Sequence, residues 1–467
     1  MTFDLVTVGG GITGLSAALR MQSEAPGQTQ LVLESSDRCG GVLDTIYRDG
    51  YLIERAADMF TTKLPWAKQL CEETGYDDLI TVNPEHRRAF LIRNGKLTPV
   101  PEGFSLLKPV KLGKMLFAPL LSVAGKCRLL YERFVPARMD ESDESLASFA
   151  QRRLGREVYE RLVQPLIGGI YTADPTKLSM LATLPQFPAM ERQYGSLIRA
   201  AMKDSDESEK LASGARYDHF VTPRQGFRHF IDHLVSKLPA GTIRTGAKVA
   251  AIAREDNAGD DGEANWRIEL EGGEAIHARR LLLTTPAHAT AELVRPLDGE
   301  LADELAGIPY AGSTVIVVGC RRDQFRHPLD GFGIVAPLVE KRRILAISFS
   351  SMKFAGRAPD GEVLLRVFVG GAVQPEFNAL GDDELKQIAC EEMQDLLGMS
   401  GEPIWTEIVR WGNHMPQYHV GHVDRVERIK SLSDRHANFA IAGAAYKGVG
   451  IPFCIRSGRA VVDRLLT

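Results

Sequence analysis

LVTVGGGITGLSAALRM, residues 5–21, sets an apolar run, a glycine cluster and a second apolar run of longer period side by side. Leu5 to Val8 is short and largely apolar, the pattern of a parallel strand buried on both faces. Gly9, Gly11 and Gly14 follow in the spacing G-x-G-x-x-G, and Leu15 to Met21 then reads as a helix. In that spacing the first glycine permits a tight turn and the second lets the backbone approach a pyrophosphate. The third lets helix and strand pack closely. The helix start offers unpaired N–H groups and partial positive charge to phosphates. The candidate cradle is therefore Gly9, Gly10, Gly11, Ile12, Thr13 and Gly14. TQLVLESSDR, residues 29–38, adds a second strand ending at Glu34. An acid about 20 residues past such a loop accepts ribose hydroxyls and repels a 2′-phosphate, so NADP is disfavoured.

A chain of 467 residues has room for two or three domains. Its 44% hydrophobic and 25% charged content is that of an ordinary globular protein, and a net charge of −4 gives no reason to expect nucleic acid. The six cysteines (39, 71, 127, 320, 390 and 454) form no C-x-x-C pair, which argues against a disulfide framework or structural zinc. His414, His419 and His422 lie close in sequence, but no cysteine or acid cluster beside them completes a ligand set, and no metal is expected. The first strand starts by residue 3, so no signal peptide is expected and the cytoplasm is the default location.

No stretch reaches the ~18 apolar residues of a membrane span. The nearest, MLFAPLLSVAG at 115–125, is bracketed by Lys114 and Lys126 and preceded by Lys108 and Lys111. It reads either as a core helix or as an apolar, basic-flanked surface for a membrane or a greasy substrate.

Strand and helix patterns alternate over 1–85, and the text from Leu106 to Met202 is mostly helical. There SLASFAQRRLGREVYERLVQPL, residues 145–166, shows three-to-four spacing and a start at Ser145. Two polar, acid-rich stretches, 203–218 and 254–266, read as solvated connections. Strand and helix return after Phe220, with a buried strand at Leu281–Thr284. Residues 310–370 hold alternating β segments of an antiparallel sheet in a second domain. FAIAGAAYKGVGIPFCIRSGRAVVDRLL, 439–466, is again strand, glycine loop and helix. A dinucleotide fold thus opens the chain and is completed at its end, with other domains inserted, as in large flavoproteins.

ESSDRCGG, 34–41, matches the E-x-x-x-R-x-G-G extension typical of flavin amine-oxidase-like proteins. QPLIGGIYTADPTKLSM (164–180), RWGNHMPQYHVGHVDR (410–425) and GAAYKGVGIPFCIRSG (443–458) go further. They resemble the oxygen-dependent porphyrinogen oxidases of haem biosynthesis, the protoporphyrinogen and coproporphyrinogen III oxidases, and the resemblance runs from residue 3 to the C-terminus. It implies an α/β fold: a Rossmann-like FAD-binding domain of the glutathione-reductase and amine-oxidase type, an inserted α+β substrate domain and a helical domain. The expected parts are 1–85, 216–296 and 404–467 for FAD, 86–101 and 297–403 for substrate, and 102–215 for the helices.

The resemblance implies FAD held without a covalent link, since no cysteine has the S-G-G-C-Y type of context used for attachment. Gly9 to Gly14 would contact the pyrophosphate, and Glu34 with Ser35 the adenosine ribose. Arg38, Gly41 and Val42 would lie near the phosphates and ribityl chain, and Val249 would meet the adenine by its backbone. Trp411 and Gly448, Val449 and Gly450 would frame the isoalloxazine. The segment Ala56, Ala57, Asp58 and Met59 would lie near the flavin. Ala56 and Ala57 stand where the family commonly has Gly-Pro, and Phe453 where it has Asp or Asn. Both departures are expected to alter flavin geometry, potential or affinity.

Converting a porphyrinogen to a porphyrin removes six electrons, so the resemblance implies three two-electron rounds, each hydride passing to the flavin and dioxygen leaving as hydrogen peroxide. Placement of a flat macrocycle is then the protein's task, with no catalytic side chain singled out. Gly169 and Ile170 would cover the macrocycle, Phe368 would lie against it, and Arg88, beside Arg87, would pair with its carboxylates. The partners so implied are a tetrapyrrole and dioxygen. Peripheral contact with the inner face of a membrane and transient contact with the next haem-pathway enzyme complete the expectation. MPQYHVGH and GVGIP favour coproporphyrinogen III, with protoporphyrinogen IX as the alternative. Another flavoenzyme of the superfamily, an amine oxidase or carotenoid desaturase, and a non-redox binding protein of the same fold remain as more distant readings.

Overall fold

The computed structural model describes residues 2–109, 111–203, 219–255 and 265–467. The expected connection at 203–218 lies outside the described residues from 204 on. Of that at 254–266, residues 256–264 lie outside them, and the ends are corrected to strand, in Val249–Glu255 and Asn265–Leu270, with Trp266 buried.

The opening strand Thr2–Val8 runs parallel to Gln30–Leu33 on one side and Ala275–Leu283 on the other. Ile243–Arg244 and Phe439–Ile441 extend this parallel sheet, and an antiparallel pair, Val249–Glu255 and Asn265–Leu270, continues it. Alternate residues bury opposite faces. Val6, Val8, Leu281 and Leu283 pack against Ala291, Leu301 and Val426. Leu5 and Leu282 pack against Ala17, Met21 and Val462. The opening run is apolar because helices cover it on both sides.

Pairing in the second sheet runs Trp405–Pro416, Tyr310–Arg321, Glu362–Gly370, Ala346–Phe349, Gly333–Val335, Ala89–Arg93, Lys96–Pro99. Only Gly333–Val335 beside Ala89–Arg93 is parallel. The outer face packs Ile316, Val318, Leu365 and Val367 on the helix Asp382–Leu397. On the inner face, Val315, Val317 and Leu364 meet Tyr51 and Ile53 from the hairpin of the first domain. The division of the chain is corrected at two points: Gly299–Ala306, expected in the second substrate part, packs Leu301, Ala302 and Leu305 on the first sheet, and Trp405–Pro416, expected in the third FAD part, is the edge strand of this second sheet. Its bonds go to Tyr310–Arg321.

The helical part has its own core, including Phe104, Met115, Phe149, Leu162 and Leu197. Ser145 caps Leu146–Leu154 by accepting the Ser148 N–H at 3.1 Å, a contact that contributes about 1 kcal/mol. Residues 115–125 are not one core helix. They break into Leu112–Phe117 and Val123–Tyr131, which bury Met115, Leu120 and Leu121 but leave Phe117 89% and Val123 78% exposed.

Candidate flavin and substrate site

A Cβ built on Gly14 would stand 2.0 Å from the Gly9 carbonyl, whereas one on Gly11 meets nothing within 4 Å. The two glycines thus do different work. Gly14 is filled by its own strand, and Gly11 opens on free space at the start of Ile12–Glu24, a helix with no side-chain cap. Gly10 donates to Glu34 Oε2 at 2.8 Å, which ties the loop to the second strand. The other carboxylate oxygen accepts the Ser36 amide and hydroxyl at 2.9 and 2.8 Å, with the Ser35 hydroxyl at 3.3 Å. Ala247 donates to the Glu34 carbonyl at 2.8 Å, which brings the segment leading to Val249 alongside.

Gly40 donates to the Gly10 carbonyl at 2.8 Å, so the turn carrying Gly41 and Val42 lies on the first glycine loop. Arg38 holds that turn, donating to the carbonyls of Cys39, Gly41 and Leu43 at 2.9–3.1 Å. Burial, with Glu34 adding to it, pushes the Cys39 thiol up to about 11. Burial does the same to Cys454, also to about 11, so both thiols beside the loop stay protonated.

Ala56, Ala57, Asp58 and Met59 form a half-buried turn. Ala57 packs among Ile12, Ile451 and Cys454, at the starts of the first and last helices. Trp411 Nε1 donates to the Arg55 carbonyl at 2.9 Å, so the indole closes the same turn from the second sheet. Asp58 pairs with Lys353 at 2.5 Å; burial would raise its carboxyl, but the Lys353 and Arg366 charges outweigh that and hold it low.

Gly448, at φ +123°, has no room for a Cβ because the Phe453 ring would stand 2.4 Å away. Phe453 also lies 5.6 Å from the Trp66 ring, so an aromatic pair stands beside the glycine loop, where the resemblance led to the expectation of Asp or Asn. Val449 packs on the helical core, and Gly450 begins the last helix, Ile451–Leu466, again with no side-chain cap. Two helix starts without side-chain caps and the open position at Gly11 fit a dinucleotide.

Phe368 and Trp411 share the inner face of the second sheet beside Val315. Gly169 is in the last turn of Gln164–Tyr171, and its Cβ position lies 4.0 Å from Val335 of that sheet. Ile170 is in the same turn, and its side chain lies outside the described residues. Arg88 stands apart from these groups, just before Ala89–Arg93, half exposed and paired with Asp330 at 3.2 Å. An open cleft of about 410 Å³ runs beside Trp411, lined by Tyr310, Gly312, Gly371, Gln417 and His419.

Sequence reasoning missed three contributors. Tyr418 is buried and its hydroxyl accepts the Gly448 amide, and His422 stacks on its ring. A Cβ on Gly458 would stand 2.2 Å from the Thr13 carbonyl, so the last helix crosses the phosphate helix backbone to backbone. Lys353 lies against Asp58. Tyr418 and Gly458 lie within segments that carry the resemblance, whereas nothing in the sequence pointed to Lys353. Among the described residues no group of three or more His, Cys, Asp or Glu could hold a metal. His414 instead lies edge-on to Trp411, and His422 stacks on Tyr418.

Residues 12–466 match the family of flavin containing amine oxidoreductases, and the chain belongs to it. Within it, the chain is 31% identical to the coproporphyrinogen III oxidase of Bacillus subtilis (strain 168), over 99% of this chain and 98% of that one. The coproporphyrinogen III oxidase of Propionibacterium freudenreichii subsp. freudenreichii is 34% identical, over 99% and 90%. The chloroplastic protoporphyrinogen oxidase of Nicotiana tabacum is 28% identical, over 99% and 85%. A crystal structure of a protein from Exiguobacterium sp. 255-15 superposes with a TM-score of 0.86 at 29% identity, covering 99% of this chain and 98% of the other.

Proposed function

We propose that the protein is an FAD-dependent porphyrinogen oxidase that converts coproporphyrinogen III to coproporphyrin III. The observation that carries this reading is the shared boundary of two surfaces. The flavin turn at Ala56–Met59 is closed by Trp411, which lies on the same sheet face as Phe368. That face continues to Val335, which the bare backbone at Gly169 approaches. A flat, apolar macrocycle placed there would lie on Phe368 with Gly169 and Ile170 above it.

Bound FAD supplies a two-electron acceptor that dioxygen restores with release of hydrogen peroxide. The chain's own residues do the placing. The open backbone at Gly11 and the helix behind it would hold the pyrophosphate and Glu34 the ribose, and the start of Ile451–Leu466 would stabilise negative charge on the ring. The protonated Cys39 and Cys454 support a non-covalent link. Arg88 is the candidate cation for substrate carboxylates, in competition with Asp330.

A side-by-side assay of coproporphyrinogen III and protoporphyrinogen IX under air tests the reading. Porphyrin fluorescence should rise faster with the four-carboxylate substrate, with peroxide formed alongside. Faster turnover of protoporphyrinogen would move the assignment to the alternative, and turnover of neither would end it.

No helix among the described residues is long and apolar enough to cross a membrane. The proposal extends to peripheral contact with the inner face of a bilayer. Phe117, Val123, Tyr131 and Phe134 are 89, 78, 57 and 71% exposed on one short stretch, among Lys114, Lys126 and Arg133.

A further inference from the structure

Three charged side chains meet under the Ala56–Met59 turn, and the placement of substrate uses none of them. Lys353, 3% exposed at the end of Ser350–Lys353, pairs with Asp58 at 2.5 Å. Arg366, 2% exposed on Glu362–Gly370, lies 3.4 Å from the same carboxylate and donates to the Ala56 carbonyl. Its Nε has no hydrogen-bond partner, and its guanidinium lies 5.2 Å from the Phe368 ring. The nearby acid Glu54 also feels the Arg366 charge, but less than that of Arg357. Burial pushes its carboxyl up to about 7, and Arg357 is the first charge to oppose that. Arg357 in turn donates to Thr222 and to the carbonyls of Pro223 and Arg224.

Asp58 faces two cations in a buried place, where charges are weakly screened; burial pulls the Lys353 ammonium below its ordinary value, and the Asp58 charge is the first to oppose that. An uncompensated buried charge is costly, so the excess cation favours an anion beside it. A hydride carries two electrons and one proton, so its arrival on a neutral oxidised flavin leaves the ring with one negative charge.

We propose that Lys353 and Arg366, only one of which Asp58 neutralises, act as positioning residues that set the reduction potential of the flavin over the Ala56–Ala57 turn. This rests on the flavin reading above. The pair raises the potential by stabilising the charge of the reduced ring, and Arg366 fixes the turn through the Ala56 carbonyl.

The test compares Lys353→Met, Asp58→Asn and the double variant as purified flavoproteins, without porphyrinogen. The readouts are the two-electron midpoint potential against reference dyes and the dissociation constant of sulfite, which adds to the ring as an anion. K353M keeps the Asp58–Arg366 pair and removes the excess charge. Its reduction equilibrium should fall at least about tenfold, which is about 30 mV for two electrons, and sulfite should weaken in parallel. D58N should move both readouts the opposite way, and the double variant should return close to wild type. A merely structural role would move both single variants in the same direction, which would overturn the proposal. If D58N does not fold, K353R replaces it: keeping the charge, it must hold the wild-type potential while K353M lowers it. Flavin-loaded K353M with the wild-type potential overturns the inference alone. A flavin-free wild type overturns the functional reading with it.

Discussion

The Tyr418 hydroxyl accepts the Gly448 amide at 2.8 Å and donates to the Ala444 carbonyl, clamping the C-terminal glycine loop from both ends. His422 lies on the Tyr418 ring at 4.0 Å and 12°, and its Nε2 meets the Tyr446 carbonyl at 3.1 Å. The Tyr418 carbonyl, two residues past the strand Trp405–Pro416, also accepts the Ser179 amide at 2.8 Å. The glycine loop and the segment after Gly169 are thus tied to one residue.

Tyr418→Phe should leave the loop amide and carbonyl unpaired, at about 1–3 kcal/mol for each buried group. The fold should survive, because the ring still packs. Flavin should bind about tenfold more weakly, the equivalent of roughly 1.4 kcal/mol, by equilibrium dialysis. Unchanged flavin affinity would mean that the clamp does not act on the cofactor.

Burial pulls the His422 imidazole down from 6.5 to about 4. A base held neutral in the fold contributes stability above its unfolded pKa, and that contribution is lost as pH falls through the folded one. The window is therefore pH 6.5 to 4, and at full loss the effect is roughly 3 kcal/mol. His422→Gln keeps a donor for the Tyr446 carbonyl and cannot titrate. Thermal unfolding of this variant should fall less steeply than wild type across that window. Parallel curves would remove His422 from the acid response.

Gly11→Val and Gly14→Ala should part company. A side chain at Gly11 enters open space, so the fold should stand while flavin content drops about tenfold or more. At Gly14 even one methyl meets the Gly9 carbonyl at 2.0 Å, and folded protein itself should be lost. Flavin absorbance per folded chain reads the first and circular dichroism the second. Full flavin in G11V would mean that the phosphate lies elsewhere.

Phe117→Glu with Phe134→Glu alters two side chains that are 89 and 71% exposed, so stability should change by no more than about 0.5 kcal/mol. Binding to vesicles containing anionic lipid should fall about tenfold and should weaken with salt, since each nearby Lys or Arg contributes about 1 kcal/mol. Equal sedimentation of wild type and variant with vesicles would show that this surface does not meet lipid.

Arg88→Ala should raise KM for coproporphyrinogen by about threefold and for protoporphyrinogen less, with kcat kept, as befits an exposed ion-pairing group. Asp330→Asn should do the reverse, because it frees the guanidinium now paired at 3.2 Å. Equal effects on both substrates would end the claim of Arg88 to selectivity.

What the sequence determined by itself is local. The glycine spacing, the continuous burial of Leu5 to Val8, the Ser145 cap and the distance to Glu34 follow from backbone sterics and local apolar pattern within a few dozen residues. Tertiary structure decided the rest. Trp405–Pro416 reads as a strand either way, and only its hydrogen bonds to Tyr310–Arg321 put it in the second sheet. Arg88 met a carboxylate from the loop at Asp330, which no pattern beside it announced. Lys353 and Asp58 are 295 residues apart, and each looks like an ordinary surface charge until folding buries them together. Hydrophobic burial pays no attention to sequence distance, so which charges end up paired in the core is settled only when the two sheets close on one another.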